Sequence, residues 1–408
     1  MIERLKRILS EVGISDYLIR EEQTERVELY YVCCELDTSR SVCTQDFSVR
    51  VYRSYREGEE NYRGSCDVIV YGSMSDVEIE SRLREGYGAA LHVRAREYPH
   101  APAVSDVRED EQYDVLRIAG GYSGAMFSAD TDEDSYINSA EIFAEHTYTR
   151  IVSPFGVDVG YPTLLVSGEL VVQCKGEEDS ELFDYFRYEG ECYDALTQRT
   201  GQKLAQVKDR ARASRDISVE GVDLVLEGEC VRELLGYAMF LSSAKNIHTG
   251  YSSAKVGEVL TGVYPSLTLM PTVPYSREGI PMIERALVRD GRMLSAVGDM
   301  RFASYIGAEP TGEYTRLRAE SGEVSSEELF SSPCLHVVAF SDFQFDELDG
   351  YFGGEVRLGY YYDGECVRAV TGVSVSGNFR EAGRVEYSAE RYSDYTYDGP
   401  RYVRIGNN

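Results

Sequence analysis

The sequence of 408 residues predicts an α+β fold, with an N-terminal helix-and-sheet unit, a β-rich middle segment, and a large antiparallel β domain that carries one long helix. Strand-like runs rich in Tyr, Val and Thr recur along the chain, whereas helical periodicity is confined to a few stretches. Asp-Gly pairs between such runs predict tight hairpin turns. No repeat of fixed period occurs, which argues against a solenoid or a propeller.

The N-terminal domain is predicted over residues 1–105. Its first helix runs from Ile2 to Val12, where Leu and Ile recur at helical spacing among charged residues. A second helix is predicted to begin after Ser75 and to continue to about Val93, because Ser75 and Glu78 have the spacing of a capping box. Between the two helices the predicted strands are Arg26–Glu35, Asp46–Ser54 and Cys66–Tyr71.

The middle domain is predicted over residues 106–215, after a Pro-, Ala- and Asp-rich linker at about 97–112 that has no periodicity. Long strands dominate it, and a helix rich in Ala, Lys and Arg closes it. The strands are predicted at 141–153, 163–174 and 182–188, an acidic turn at 175–180, and the helix at 194–214.

Two short motifs in the middle domain suggest ligand loops at first sight. The run from Ala119 to Gly124 is rich in Gly, but no helix with a basic residue follows it, so we predict a turn. The cluster from Asp130 to Asp134 lacks the glycine and the closing glutamate of an EF-hand, so we predict a solvated acidic loop.

The C-terminal domain is predicted over residues 216–408. It begins with a strand from Asp223 to Leu226 and a helix from Glu229 to Ser243. Gly- and Tyr-rich strands follow, with hairpin turns at Asp290-Gly291 and Asp363-Gly364.

The charge balance argues against two classes of partner. The chain has 42 basic and 70 acidic residues and a net charge of -28. Binding to duplex nucleic acid or to an anionic membrane depends on Lys and Arg, so neither partner is expected. Two interpretations of the charge stay open: one is solubility or a salty cytoplasm, and the other is a preference for cationic peptides. The 32 Tyr residues are expected on sheet surfaces, or alternatively along a peptide groove.

The predicted location is the cytoplasm. Nine scattered cysteines without a CxxC pair indicate reduced thiols. No secretory signal is recognisable, and no apolar run reaches the roughly 18 residues that a transmembrane helix needs.

Several segments occur in the order typical of one family. Residues 275–314 combine a turn, a charged strand, a hairpin and a short helix, and four further runs surround them. These runs are Ile151–Gly156, Gly353–Tyr360, Tyr362–Val367 and Val373–Phe379. Together they resemble the TldD/PmbA family, also called TldD/TldE, whose founding members mature or degrade peptides.

The resemblance implies a zinc-binding HExxxH motif on the first helix of the C-terminal domain. The matching run here begins with Arg232 and Glu233, has Gly236 inside it, and ends with Tyr237. Arg has no lone pair to give to zinc, and the Tyr phenol is a poor ligand. Of the three signature residues only Glu233 is kept, and a general base without metal-bound water has little to activate. We expect Glu233 to be an ordinary surface residue, with a retained role in a groove as the alternative.

The third zinc ligand of catalytic members, a Cys near the C-terminus, is also missing. The last cysteine is Cys366, which lies in a hairpin where the family does not place that ligand. We therefore predict no catalytic residues, no metal and no cofactor in this chain. The resemblance is to the PmbA/TldE-like branch, which lacks the motif and pairs with a zinc-bearing TldD-like homologue.

Other candidate sites are weak. No two of the five His lie four residues apart, and His248 is predicted to lie in a polar loop. Cys334 and His336 are two residues apart, which places them on one face of a strand. A thiol nucleophile needs such a His, but nothing else supports the pair.

The predicted function is that of a non-catalytic subunit of a TldD-type metallopeptidase that acts on unfolded peptides. Its partners would be the zinc-bearing homologue and the peptide. Two alternatives stay open: an active peptidase with an unconventional metal or thiol site, and a stand-alone or homodimeric peptide-binding scaffold.

Overall fold

A computed structural model describes residues 1–175, 180–215, 217–219 and 221–406. The helices are α1 (Ile2–Glu11), α2 (Asp76–Ala90), α3 (Val115–Ser128), α4 (Tyr193–Ala211), α5 (Glu229–Ser242), α6 (Ala244–Thr249), α7 (Met300–Ile306) and α8 (Ser326–Leu329). None of these helices combines the length and the apolar character needed to cross a bilayer.

The N-terminal lobe, which we define as α1–α4 with the first seven strands, contains one continuous sheet. Its strands are β1 (Tyr17–Val32), β2 (Glu35–Glu57), β3 (Glu60–Tyr71), β4 (Val104–Val107), β5 (Ser135–Val152), β6 (Val157–Cys174) and β7 (Ser180–Glu189). The order is β3-β2-β1-β5-β6-β4, and β7 also pairs with β6. The predicted boundary at residues 105/106 falls inside β4, and the sheet joins strands from both sides of it.

Two pairs of helices cover one face of this sheet. Helices α1 and α2 pack on β1–β3, where Leu5, Ile19, Phe47 and Leu83 form a core. The predicted capping box of α2 is confirmed, since the Ser75 side chain accepts a hydrogen bond from the backbone N–H of Glu78 and the Glu78 carboxylate accepts one in return. Helices α3 and α4 pack on β5–β7 and form a second core.

Helix α3 corrects the prediction of a turn at Ala119–Gly124. Every residue of that run is helical, because Ile118, Ala119, Tyr122 and Met126 recur at helical spacing and are fully buried against the sheet. This burial outweighs the low helix propensity of glycine. Gly121 is also required for packing, since a Cβ there would lie 2.6 Å from the ring of Tyr193 on α4.

Two other expectations for this lobe need comment. The predicted linker contains β4, which pairs in parallel with β6 from Val104 to Val107. Pairing of this kind gives no sequence signal when the strand has only four residues. The predicted acidic turn at 175–180 lies mostly outside the described residues.

The C-terminal lobe, which we define as everything from β8 onward, has two sheets. Its strands are β8 (Asp223–Glu227), β9 (Leu267–Met270), β10 (Arg285–Arg289), β11 (Arg292–Met293), β12 (Arg316–Ala319), β13 (Cys334–Phe345), β14 (Tyr351–Tyr362), β15 (Val367–Val370), β16 (Ser374–Asn378), β17 (Val385–Tyr387), β18 (Arg391–Ser393), β19 (Tyr397–Pro400) and β20 (Tyr402–Ile405). One sheet has the order β11-β10-β9-β12-β19-β18. The other has the order β15-β14-β13-β8-β20-β17, with β16 on β14.

The predicted α+β class is confirmed. Both Asp-Gly hairpins lie where they were predicted, between β10 and β11 and between β14 and β15. The sheets of the C-terminal lobe are mainly antiparallel, but β8 pairs with β13 and β12 with β19 in parallel. Helix α5 packs between the two sheets, in contact with β8, β10, β13 and β19.

Helix α4 also joins the two lobes. Leu358 of β14 is part of the core formed by α3 and α4. The hydroxyl of Tyr360 donates a 2.6 Å hydrogen bond to Asp209 of α4. Within the described residues, hydrophobic contacts therefore continue from the N-terminal lobe into the C-terminal lobe.

Candidate functional site

Helix α5 carries Arg232, Glu233, Gly236 and Tyr237, the residues that align with the zinc motif. It follows β8 directly, through Gly228, whose φ of +57° is a conformation that L side chains rarely adopt. The inner face of α5 is apolar, and Leu234 and Leu235 are both fully buried. This face fixes the orientation of the helix, so Arg232 and Glu233 are left at the solvent side.

The side chains at the two histidine positions are engaged in other contacts. The guanidinium of Arg232 pairs with the neighbouring Glu233 carboxylate. Tyr237 is 2% exposed, and its ring lies 5.4 Å from that of Phe345 and 6.4 Å from that of Phe240. Burial raises the pKa of the Tyr237 phenol, so the hydroxyl stays protonated at neutral pH.

These residues do not fit a zinc ion. Zinc needs neutral imidazole, thiolate or carboxylate donors, and here the two terminal positions offer a guanidinium and a buried phenol. The carboxylate of Glu233 is the one acceptable donor on this turn of α5, and its charge is matched by Arg232. Elsewhere in the described residues, no group of three His, Cys, Asp or Glu side chains converges on a point.

A broad groove of about 1100 Å³ lies beside the C-terminal half of α5. Its wall is built from the ends of β13 and β14, the turn that joins them, and β16. The apolar part of the lining comprises Phe240, Phe345, Leu348 and Tyr351, and the last two are 58% and 49% exposed. The other lining residues are acidic, small or polar, together with one further apolar residue, Val375: Asp342, Gln344, Asp346, Glu347, Gly353, Gly354, Glu355, Ser374, Val375 and Ser376.

Strand β13 presents an open edge at this groove. Its parallel pairing with β8 ends at Val337, while its pairing with β14 continues to Phe345. Within the described residues no strand pairs with the other edge of β13 beyond Val337. Backbone N–H and C=O groups on such an edge can accept an additional strand.

The groove and the altered motif are electrostatically linked. The pKa of Glu347 is raised by partial burial and then by the charge of Glu233, while Arg232 opposes the shift. The charge of Glu233 therefore acts on a carboxylate of the groove lining. Tyr237 contacts the groove wall through Phe345, and the charges of Arg232 and Glu233 act on Glu347 of the lining.

The remaining sequence candidates do not join this site. Cys334 is fully buried and burial raises the pKa of its thiol, which favours the unreactive protonated form. His336 lies 3.2 Å from the carboxylate of Glu227. His248 is exposed on α6, which corrects the predicted loop, and Cys366 is exposed in the β14–β15 turn.

The acidic cluster at 130–134 is a loop, as predicted, but its side chains are engaged. Asp130 accepts a 3.0 Å hydrogen bond from the backbone N–H of Ile137. Asp132 pairs with Lys208 of α4. These contacts tie the loop between α3 and β5 to the rest of the lobe.

Sequence reasoning missed a polar cluster of the N-terminal lobe, part of which lines one pocket together with Glu278 and Met300 of the C-terminal lobe. The guanidinium of Arg63 is 3% exposed and lies over the rings of Tyr52 and Tyr98, at 4.4 and 5.1 Å. It also pairs with Asp16 at 3.0 Å. Tyr52 and Arg63 lie on the paired strands β2 and β3, but Asp16 and Tyr98 come from separate segments, so no motif or spacing could have predicted their meeting.

Comparisons with known proteins agree with this architecture. Residues 220–395 match the model of the PmbA/TldA metallopeptidase C-terminal domain. No curated protein matches the chain.

Three solved structures share the fold over almost the whole chain. TldE from Thermococcus kodakarensis has a TM-score of 0.79 at 15% identity and covers 100% of this chain and 98% of its own. A putative modulator of a DNA gyrase from Thermotoga maritima has a TM-score of 0.78 at 16% identity. The match covers 100% of this chain and 99% of that protein. A putative modulator of DNA gyrase from Bacteroides thetaiotaomicron has a TM-score of 0.74 at 13% identity. The match covers 99% of this chain and 97% of that protein.

The fold and the C-terminal domain thus define a metallopeptidase-related protein of two lobes. Residues 220–395 match the PmbA/TldA metallopeptidase family, and the chain as a whole shares its fold with TldE from Thermococcus kodakarensis.

Proposed function

We propose that this chain is a PmbA/TldE-like, non-catalytic subunit that pairs with a zinc-bearing TldD-like homologue in the cytoplasm. The observation that carries the proposal is the state of α5. At the two histidine positions of the motif, Arg232 is ion-paired with Glu233, and Tyr237 is part of the hydrophobic core. Hydrolysis by the assembly would then depend on the partner's zinc.

The proposed role of this chain is to help hold an unfolded peptide. The open edge of β13 offers unpaired backbone groups, and extended peptides commonly bind by adding a strand to such an edge. Beside this edge, Leu348 and Tyr351 offer exposed apolar surface to the peptide's side chains. A backbone-directed mode of this kind suits unfolded peptides of varied sequence, since hydrogen bonds to the main chain carry the affinity.

Co-expression with a TldD-like homologue from the same organism tests the proposal. We expect the two chains to elute together in gel filtration, and the complex to cleave an unfolded peptide that this chain alone leaves intact. Elemental analysis should find zinc in the complex, but no stoichiometric zinc in this chain purified by itself.

Two results would contradict the proposal. One is a homologue that is equally active without this chain and elutes separately from it. The other is about one zinc per chain, retained after dialysis by this protein alone and accompanied by peptidase activity.

A further inference from the structure

We infer that the groove beside α5 selects positively charged extended segments, with Lys or Arg at alternate positions. This inference rests on the proposed function and specifies the class of peptide. It starts from the lining of the groove, in which four of the 14 residues are acidic and none is Lys, Arg or His. The four are Asp342, Asp346, Glu347 and Glu355.

Ion pairs within the described residues do not neutralise these carboxylates, although the charge of Arg232 acts on Glu347. In the described part of the chain, none of the four forms an ion pair within 4.0 Å. Two basic side chains near the groove have other partners. Arg232 pairs with Glu233, and Arg380 donates to the backbone carbonyl oxygen of Leu348. The groove therefore keeps a net negative charge that a bound cation could balance.

Hydrogen bonding leaves most of the acceptor capacity of these groups free. Asp342 accepts a 2.6 Å hydrogen bond from the side chain of Gln344, and Asp346 accepts one of 2.8 Å from the backbone N–H of Leu348. A carboxylate offers about four lone-pair directions, so each can accept further donors. The ammonium of Lys and the guanidinium of Arg are donors without acceptors, which matches this surface.

Mutual repulsion supports the same conclusion. The pKa of Glu347 is raised by partial burial and by the charges of Glu233 and Asp346, although Arg232 opposes this shift. A cation placed among these groups would relieve both the repulsion and the burial cost of the charged form. An anionic peptide would add to the repulsion.

The geometry of the groove explains the alternate spacing. A segment added to the edge of β13 would point every second side chain to the groove face. Asp342 and Glu355 line the same groove as the exposed apolar side chains of Leu348 and Tyr351. Lys and Arg suit such a mixed surface, because their aliphatic stems can pack on apolar groups while the charged ends reach carboxylates. The exposed ring of Tyr351 can also face a cation.

Binding of three labelled peptides tests this inference by fluorescence anisotropy. The peptides share a pattern of alternating Val and variable positions, and the variable positions are all Lys, all Ser or all Glu. With the wild-type chain at low salt, we expect the Lys peptide to bind about tenfold more tightly than the Ser peptide, and the Glu peptide to bind most weakly. Raising the ionic strength should bring the three affinities together, since salt screens exposed charges.

Two matched triple variants locate the effect. The first, Asp342→Asn with Glu347→Gln and Glu355→Gln, should lower the affinity for the Lys peptide to near that for the Ser peptide. The second removes the same number and type of charges from the N-terminal lobe, at exposed positions of β2 and β3 and the turn between them, and should change little. It consists of Asp37→Asn, Glu59→Gln and Glu60→Gln.

The peptide measurements test charge selection by the groove separately from peptide binding itself. Equal affinities for all three peptides, or equal losses in both triple variants, would overturn charge selection by the groove while leaving peptide holding intact. If no peptide binds to this chain or to its complex with the homologue, both charge selection and the proposed function are overturned.

Discussion

Tyr237 and Glu233 lie one turn apart on α5 but are in opposite environments. Tyr237 is part of the core of the C-terminal lobe, next to Leu234 and Leu235. Glu233 is exposed, and an exposed ion pair such as that with Arg232 contributes at most about 1 kcal/mol. Because the apolar face of α5 points into the core, Glu233 lies at the solvent side and contributes little to the stability of the fold.

These environments predict opposite results for two substitutions on α5. Glu233→Gln should change the free energy of unfolding by no more than about 0.5 kcal/mol and leave the activity of the complex close to that of the wild type. Leu235→Asp should unfold the chain or prevent assembly, because burying an unpaired carboxylate costs several kcal/mol against a total stability of about 5–15 kcal/mol. Urea unfolding and peptide cleavage check both.

Leu235→Ala serves as a milder control, with an expected loss of about 2–5 kcal/mol from the cavity it leaves. A loss of about 10² or more in activity for Glu233→Gln, with folding and assembly intact, would show that Glu233 acts as a general base. The interpretation of this chain as non-catalytic would then be wrong.

At the scale of single elements, α3 shows how burial decides between helix and turn. Three glycines at positions 120, 121 and 124 lower its intrinsic helix propensity. They differ in surroundings: a Cβ on Gly120 would meet nothing within 4 Å, whereas one on Gly121 would meet the ring of Tyr193. Of these two positions, only Gly121 needs a glycine for packing.

Alanine substitution at these two neighbouring positions should therefore have effects of opposite sign. Gly120→Ala should stabilise the protein by about 0.5–1 kcal/mol, because alanine loses less backbone entropy in a helix. Gly121→Ala should destabilise it by about 1–3 kcal/mol, because α4 must move away. Thermal and urea unfolding of the two single variants measure this difference, and destabilisation by Gly120→Ala would argue for a turn.

Sequence patterns predicted those elements whose signals are local. The capping box at Ser75 and the apolar spacing of α1 and α5 found three helices, and the Asp-Gly pairs found two hairpins. Helix α3 was missed because glycine content was given more weight than the spacing of Ile118, Tyr122 and Met126. Strand β4 was missed because its partner β6 supplies the pairing.

One part of the candidate site could likewise be predicted from local sequence, and the other part could not. The altered motif on α5 could be found because its residues are contiguous. The groove could not, since it needs β13, β14, β16 and the end of α5 to meet. The acidic run from Asp342 to Asp349 was the one local signal for it.

At the scale of the whole molecule, α4 is the element that both lobes share. Arg199 of α4 pairs with the buried Asp184 of β7 at 2.6 Å and donates a 3.2 Å hydrogen bond to the hydroxyl of Tyr392 in the C-terminal lobe. Lys203 lies 3.6 Å from the same carboxylate. Removing Asp184 would leave two largely buried cations without this partner.

Asp184→Asn should therefore destabilise the protein at neutral pH by about 3 kcal/mol. Burial opposes ionisation of Asp184, but Lys203 and Arg199 outweigh it and hold the pKa of this carboxyl below its ordinary 3.8. A group with a lowered pKa in the folded state stabilises the fold above its unfolded pKa, and this contribution is lost as the pH falls through the folded pKa. The difference between wild type and variant should thus shrink as the pH falls below about 4.

Urea unfolding at several pH values between about 3 and 7 measures this difference. Asp37→Asn, at an exposed position of β2, controls for the loss of one negative charge. A pH-independent difference, or none at neutral pH, would show that the charge of Asp184 does not stabilise the fold.

The position of β8 inside its sheet has a consequence for the timing of synthesis. One of its neighbours, β20, begins at Tyr402, although β8 itself ends at Glu227. At about 5–20 residues per second, a ribosome needs roughly 10 to 35 seconds to make the chain between them. During that interval the nascent chain exposes an apolar strand whose partner does not yet exist, so the C-terminal lobe should depend on chaperones that shield such edges until translation has passed β20.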